Sequence, residues 1–178
     1  MNAQISSNRP CAGRDRILVE PVVRPRAHTV LAAATPLLTD ALPHVDWADA
    51  YAVDIPSGAP RHDPQTWADE IFHTPSPAIR FLFGVREALV RVVGIEPGSK
   101  DVFATMTRTS DEVLIGADQG HLSFRASVLV ERERVVLSTV VKLHNRRGRA
   151  YSALVRMVHP WVVRTMLARA AGTLTVTT

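Results

Sequence analysis

Between residues 101 and 144 the chain reads as four runs of strand composition, "DVFATMTRT", "DEVLIGA", "HLSFRASVLV" and "RVVLSTVVKLH". All are rich in β-branched and apolar residues, which suit a pleated, half-buried surface. The links between them, Ser110–Asp111, Asp118–Gln119–Gly120 and Arg132–Glu133, are two or three residues long. Links so short can only join antiparallel neighbours, so the pattern predicts a meander.

The register follows from side-chain alternation. With Arg132–Glu133 as a two-residue turn, Val130 faces Val135, Val128 faces Leu137, and Ala126 faces Thr139. Phe124 then faces Val141, and Leu122 faces Leu143. These five pairs share one nearly apolar face, because strand side chains alternate. The other face pairs Leu129 with Val136, Ser127 with Ser138, Arg125 with Val140, Ser123 with Lys142, and His121 with His144. Carried back one strand further, the register puts Val113, Ile115 and Ala117 on the apolar side, with Ala104 and Met106. It also predicts His121 and His144 as cross-strand neighbours on the face away from any covering helix.

An antiparallel sheet with one apolar face needs a cover. Residues 145–172, "NRRGRAYSALVRMVHPWVVRTMLARAAG", supply one as a long amphipathic helix. Tyr151, Leu154, Val155, Val158, Val162 and Met166 recur at helical spacing as its apolar face, and Arg146, Arg149, Arg156 and Arg164 lie opposite. Pro160 is expected to bend or loosen it near mid-length.

Upstream, "DWADAYAVDIP" is a first strand ended by Pro56. "RHDPQTWADEIFHTP" is a helix with Asp63 as N-cap and Pro64 at its first position. "PAIRFLFGVREALVRVVG" is a second helix stopped by Gly94. "TVLAAATPLLTDALPHV" is a short helical or mixed segment cut by Pro36 and Pro43. The expected architecture is α+β: an antiparallel sheet wrapped on a long C-terminal helix, with two short helices between the first and second strands. Residues 1–30 read as a tail or loosely docked arm, and 31–178 as a single domain.

Composition narrows the function classes. The lone Cys11 forms no internal disulfide and fits a reducing cytoplasm. No apolar stretch reaches the ~18 residues of a membrane span, and the N-terminus lacks a secretory h-region, so a cytoplasmic protein without integral membrane association is expected. The net charge of +4 is unevenly spread: residues 121–178 hold ten Lys and Arg against two acids. That asymmetry suits an anionic partner near the C-terminal helix. Aromatic interleaving, RNP-type strands and helix-turn-helix spacing are absent, which argues against nucleic acid. The seven histidines are scattered, without metal-ligand spacing, and neither a nucleophile elbow nor a phosphate loop occurs. No metal and no cofactor are expected.

The order strand, two helices, meander, long helix resembles the helix-grip fold of the START-like superfamily (SRPBCC), which includes lipid-transfer domains and polyketide cyclases. More closely, "DWADAYAVDIP", "ADQGHLSFRASV", "TVVKLHNRRGRAYSALVR" and "VHPWVVRTML" resemble the domain-of-unknown-function 2867 family across residues 36–171. The superfamily resemblance implies a cavity between sheet and helix holding a small hydrophobic or amphipathic ligand. Trp67, Phe72 and Phe83 are expected to line it from the short helices, and Met106, Ile115, Phe124 and Val141 from the sheet. Tyr151, Val158 and Trp161 are expected to line it from the long helix.

The polar constellation Asp118, His121, Arg125, His144 and Asn145 offers an alternative, an enzyme of cyclase, dehydratase or hydrolase type. On the register above these groups lie on the outer face, with Asn145 capping the helix. A third reading follows from the resemblance: members of the family can be fused to reductase-like domains, and this chain would then be an accessory domain for such a partner. The carboxylates Asp46, Asp49 and Asp54 read as solvated groups on the rim of the first strand.

Overall fold

We analysed a computed structural model, which describes residues 25–31, 35–74, 76–80, 84 and 103–176. Six strands form one antiparallel sheet: β1 (His28–Val30), β2 (Trp47–Asp54), β3 (Thr105–Arg108), β4 (Glu112–Asp118), β5 (Leu122–Val130) and β6 (Arg134–Leu143). Their order is β1-β2-β6-β5-β4-β3, so β3 to β6 are a meander and the early strands pair on its far side. Helix α1 (Pro64–His73) follows β2, and helix α2 (Arg146–Leu174) closes the chain. The α+β architecture expected from the pattern is the one observed. The second expected helix, 77–94, falls mostly outside the described residues.

The β5–β6 register is the predicted one at every position from Leu122↔Leu143 to Val130↔Val135. The β4–β5 pairing continues it with Val113↔Val128, Ile115↔Ala126 and Ala117↔Phe124. One expectation fails on β3. Thr105 pairs with Ile115 and Thr107 with Leu114, so Met106 is the extra residue of a bulge. A bulged residue leaves the alternation, and Met106 stands 47% exposed instead of joining the apolar side.

The core lies on the sheet face that carries α1 and α2. Tyr51, Val53, Val113, Ile115, Ala126, Val128, Val135 and Leu137 meet Trp67 and Ile71 of α1 and Val162, Val163, Met166 and Leu167 of α2. Helix α1 starts as predicted: Asp63 Oδ1 accepts from the backbone N–H groups of Gln65 (2.9 Å) and Thr66 (3.3 Å), with Pro64 behind it. Asn145 caps α2 by accepting from Gly148 N at 2.9 Å, and its amide donates to Gly120 O at 3.0 Å. Helix α2 runs through Pro160 without interruption.

Its buried side differs from the expected one. Gly148, Ser152, Val162, Val163, Met166, Leu167, Ala170 and Ala171 are buried, whereas Leu154 and Val158 are exposed. The helix is thus turned so that small residues of its N-terminal half face the sheet. Gly148 explains why: a Cβ there would lie 2.1 Å from His121 O, so this turn packs directly on the backbone at His121, just before β5.

The outer face is not left to solvent. Leu38 and Leu42, from the turns at 36–43, are buried, and Glu112 is only 2% exposed. Its Oε1 accepts from the Thr35 and Ser127 hydroxyls, and its Oε2 accepts from Leu37 N at 3.1 Å. Beside this clasp Ala50, Ala52 and Val136 form a second apolar cluster with Val30 and Leu129. Strand β1, read from sequence as part of an arm, supplies Val30 by pairing His28↔Ala52 and Val30↔Ala50.

Candidate functional site

The polar residues singled out from the sequence divide between the two faces. On the outer face Arg125 is buried, yet fully engaged: Nη2 donates to Asp118 Oδ2 at 3.0 Å and Nη1 to Phe124 O at 2.9 Å. Ser123 Oγ lies 2.9 Å from His144 Nε2. The Arg125 guanidinium, and after it the Ser123 hydroxyl, hold Asp118 below the usual carboxylate range. The chain of contacts therefore runs carboxylate, serine, imidazole. A hydrolytic relay needs the imidazole in the middle, oriented by the carboxylate. Asp118, Ser123, Arg125 and His144 form a structural network that ties β4, β5 and the end of β6 together.

His121 departs from its expected position. Its ring is buried and meets Tyr151 of α2 edge-on, with centroids 5.3 Å apart. It precedes the first residue of β5, so the pleat that sends Ser123 and Arg125 outward does not govern it. The backbone pairing persists, with His144 N donating to His121 O at 3.0 Å. The two histidines are neighbours, but their side chains serve opposite faces.

The helix-bearing face holds a polar group that the sequence reading treated as rim. Trp47, Asp49, Tyr51 and Val53 alternate along β2 toward α2. Trp47 Nε1 donates to Ser152 Oγ at 2.8 Å, and the Trp47 and His159 rings meet edge-on at 5.4 Å. His159 Nε2 lies 3.4 Å from Asp49 Oδ1, and Tyr51 Oη donates to Asp49 Oδ2 at 3.2 Å. Arg156 stands over the Trp47 ring and Arg164 over the Tyr51 ring. Asp49 is thus a partly buried inward carboxylate between an imidazole and a phenol. The other two acids of this strand behave as expected: Asp54 is exposed, and Asp46 accepts from Leu143 N at 2.7 Å.

Burial first, and the Asp49 carboxylate second, push the Tyr51 phenol up to about 12. Because its folded value lies above the ordinary one, Tyr51 contributes stability that is complete below about pH 10 and is lost as pH rises toward 12. We expect an ultraviolet titration of the folded protein to show one tyrosine ionising near 12. That component should vanish in Tyr51→Phe and move down in Asp49→Asn.

The expected ligand-lining residues fall into three groups. Ile115, Val141 and Trp67 are buried. Phe72, Phe103 and Phe124 form an aromatic row, stacked at 5.0 Å between the first two and edge-on at 6.1 Å between the last two. Tyr151 lies half-buried over His121, whereas Val158 and Trp161 (51% exposed) point outward with Met106. Phe83 lies outside the described residues.

Burial is uneven along this face. Val128, Val135, Leu137 and Ala126 are almost completely covered, and so are Val141 and Leu122 nearer its end, but Phe103, Phe124 and Leu143, and Tyr151 and Val155 opposite on α2, are only partly so. The same end carries Trp47, Asp49 and His159. A separate open cleft of about 450 Å³ lies at the other end of the sheet, between the 55–64 loop, Ser110–Asp111 and the β5–β6 turn, with Trp67 at its floor.

A family profile described as "Protein of unknown function (DUF2867)" matches residues 41–166, more than two thirds of the chain. The chain belongs to the domain-of-unknown-function 2867 family. No curated protein and no solved structure matches it. The DUF2867 match begins in the turns that cover the outer face and ends within the buried part of α2, so it takes in β2 to β6 and α1. Both polar groups, the outer Asp118–Ser123–Arg125–His144 network and the inward Asp49–Tyr51–His159 group, lie inside it. Among the described residues no cluster of His, Cys, Asp or Glu could hold a metal ion.

Proposed function

We propose that this DUF2867 protein binds a small apolar or amphipathic molecule between the partly covered end of its sheet and the N-terminal half of α2. The observation that carries the reading is the change in burial between Ala126 and Phe124, two residues apart on the same face of β5. Up to Ala126 the face is packed core. At Phe124 it presents aromatic surface that is only partly covered, beside the buried Val141 and Leu122. Ligand sites combine such apolar walls with a few placed polar groups. The Phe72–Phe103–Phe124 row would hold the apolar body, and Asp49, His159 and Tyr51 would orient a polar end. Resemblance to the helix-grip superfamily supports the same location.

A titration with a neutral naphthylamine dye tests this. We expect saturable binding near one dye per chain, weakened roughly tenfold by Phe124→Ser, a loss on the scale of one well-packed aromatic contact. Met157→Ser, on the opposite side of α2, should leave it unchanged. Equal binding by wild type and Phe124→Ser would contradict the proposal.

The inward carboxylate–imidazole pair favours a second reading, acid–base chemistry on the bound molecule. On that reading the working groups are Asp49 and His159, not the outer-face residues. Asp49→Asn protein would then retain a compound chemically different from the one carried by wild type. The same compound in both would leave binding alone.

A further inference from the structure

Helix α2 has a second apolar surface, on the side away from the sheet. Leu154 (44% exposed), Met157 (77%), Val158 and Trp161 are large, apolar and exposed together over two turns. At 100° per residue, Ala150, Leu154, Met157 and Trp161 form one stripe along the outward side, because they recur at intervals of four, three and four. The buried residues Ser152, Val162, Val163 and Met166 occupy the opposite side.

Charge identifies what this stripe meets. From Arg146 to Leu174 the helix contains six arginines and no acidic residue. Arg146 and Arg164 share nearly the azimuth of Met157, and Arg149 and Arg156 lie together roughly a quarter turn to one side of it. All four are exposed, and Arg156 and Arg164 also reach the Trp47 and Tyr51 rings. A second copy of the same helix would bring like charges together along the contact, which disfavours self-association through this face. An anionic bilayer surface satisfies both features. A helix lying in the interface plane buries Trp, Leu and Met at the acyl boundary, while arginines reach the headgroup phosphates. Each basic residue near such a surface adds to the attraction, and salt weakens it.

We infer that the outward face of α2 is a peripheral docking surface for anionic phospholipid membranes. Leu154, Met157 and Trp161 insert at the interface, and the arginine rows engage the lipid phosphates. No helix among the described residues is long and apolar enough to cross a membrane, so the association is superficial and reversible. This goes beyond the ligand-binding reading and does not depend on it, since Leu154, Met157 and Trp161 lie on the side of α2 away from the sheet.

The test is co-sedimentation of the full chain with vesicles of phosphatidylcholine alone and with a third of the lipid replaced by phosphatidylglycerol. We expect binding roughly tenfold tighter to the anionic vesicles, reduced by raised salt. A blue shift of tryptophan emission should accompany it and be lost in Trp161→Phe. Met157→Ser/Trp161→Ser should abolish sedimentation and Arg146→Glu/Arg149→Glu should weaken it strongly, while thermal stability is kept in both. Equal binding to both vesicle types, no binding to either, or wild-type binding by the Met157→Ser/Trp161→Ser variant would overturn the inference. So would a concentration-dependent dimer that those substitutions abolish, since a second copy would then be the occupant.

Discussion

Replacing Glu112 by alanine should lower the unfolding free energy by about 3–5 kcal/mol, because it orphans three donors at once in a buried setting. The Thr35 and Ser127 hydroxyls and the Leu37 amide all donate to this carboxyl group, and Glu112, Thr35 and Ser127 are each no more than 2% exposed. Apart from these bonds, only a long contact of 3.4 Å between the Thr35 and Ser127 hydroxyls joins the turns at 35–37 to the sheet by side-chain hydrogen bonds among the described residues. The loss should therefore be local as well as global: amide exchange at Leu37 and Leu38 should accelerate before the core strands open. Glu112→Gln should cost far less, about 1 kcal/mol, because the hydroxyls can rotate to accept from the new amide while its oxygen keeps the Leu37 contact. Urea melts of the two variants check the ranking. Equal losses would mean that charge, not acceptor geometry, holds the clasp.

Gly148→Ala should be the second severe substitution, with a loss of about 2–3 kcal/mol or more. In most helices this exchange stabilises, since alanine is the better helix former. Here the added Cβ would stand 2.1 Å from His121 O and 3.0 Å from the carbonyl carbon, both backbone atoms that cannot swing aside. The first turn of α2 must then lift from β5, taking the Asn145–Gly120 bond and the Tyr151–His121 contact with it. For a domain of this size that corresponds to a fall in melting temperature of roughly 5–10 °C. A comparison within the same helix, Gly172→Ala, has open space around its Cβ and should be neutral or stabilising. A Gly148→Ala protein as stable as wild type would show that α2 docks less tightly than its backbone contact implies.

The sheet was legible in the sequence because period two is unambiguous when turns are short. The spacing around Arg132–Glu133 gave every β5–β6 pair, and those pairs placed Arg125 and Ser123 outward. Helix α2 was harder, since it is apolar on two sides. Tyr151, Leu154 and Val158 satisfy helical spacing as well as Ser152, Val155, His159 and Val162 do, and hydrophobicity alone favours the wrong set. The deciding feature was Gly148, whose lack of a side chain sets which side approaches the strand.

The inward polar group was within reach. Along β2 the large residues Trp47, Tyr51 and Val53 share one phase, and that phase carries Asp49 inward with them. Ala50 and Ala52, apolar as well, stand in the opposite phase and blur the alternation. His159 then follows from the azimuth of Val155, Val162 and Met166. The clasp at Glu112 left no comparable signal, because Thr35 and Glu112 lie 77 residues apart and only the folded turns bring them together.

The most direct test of the ligand-binding account is native mass spectrometry of the full chain purified from the organism that makes it. The account predicts a mass excess of one small molecule per chain, released by organic solvent and depleted in Phe124→Ser. A bare polypeptide mass, together with no saturable uptake of the neutral dye, would contradict it.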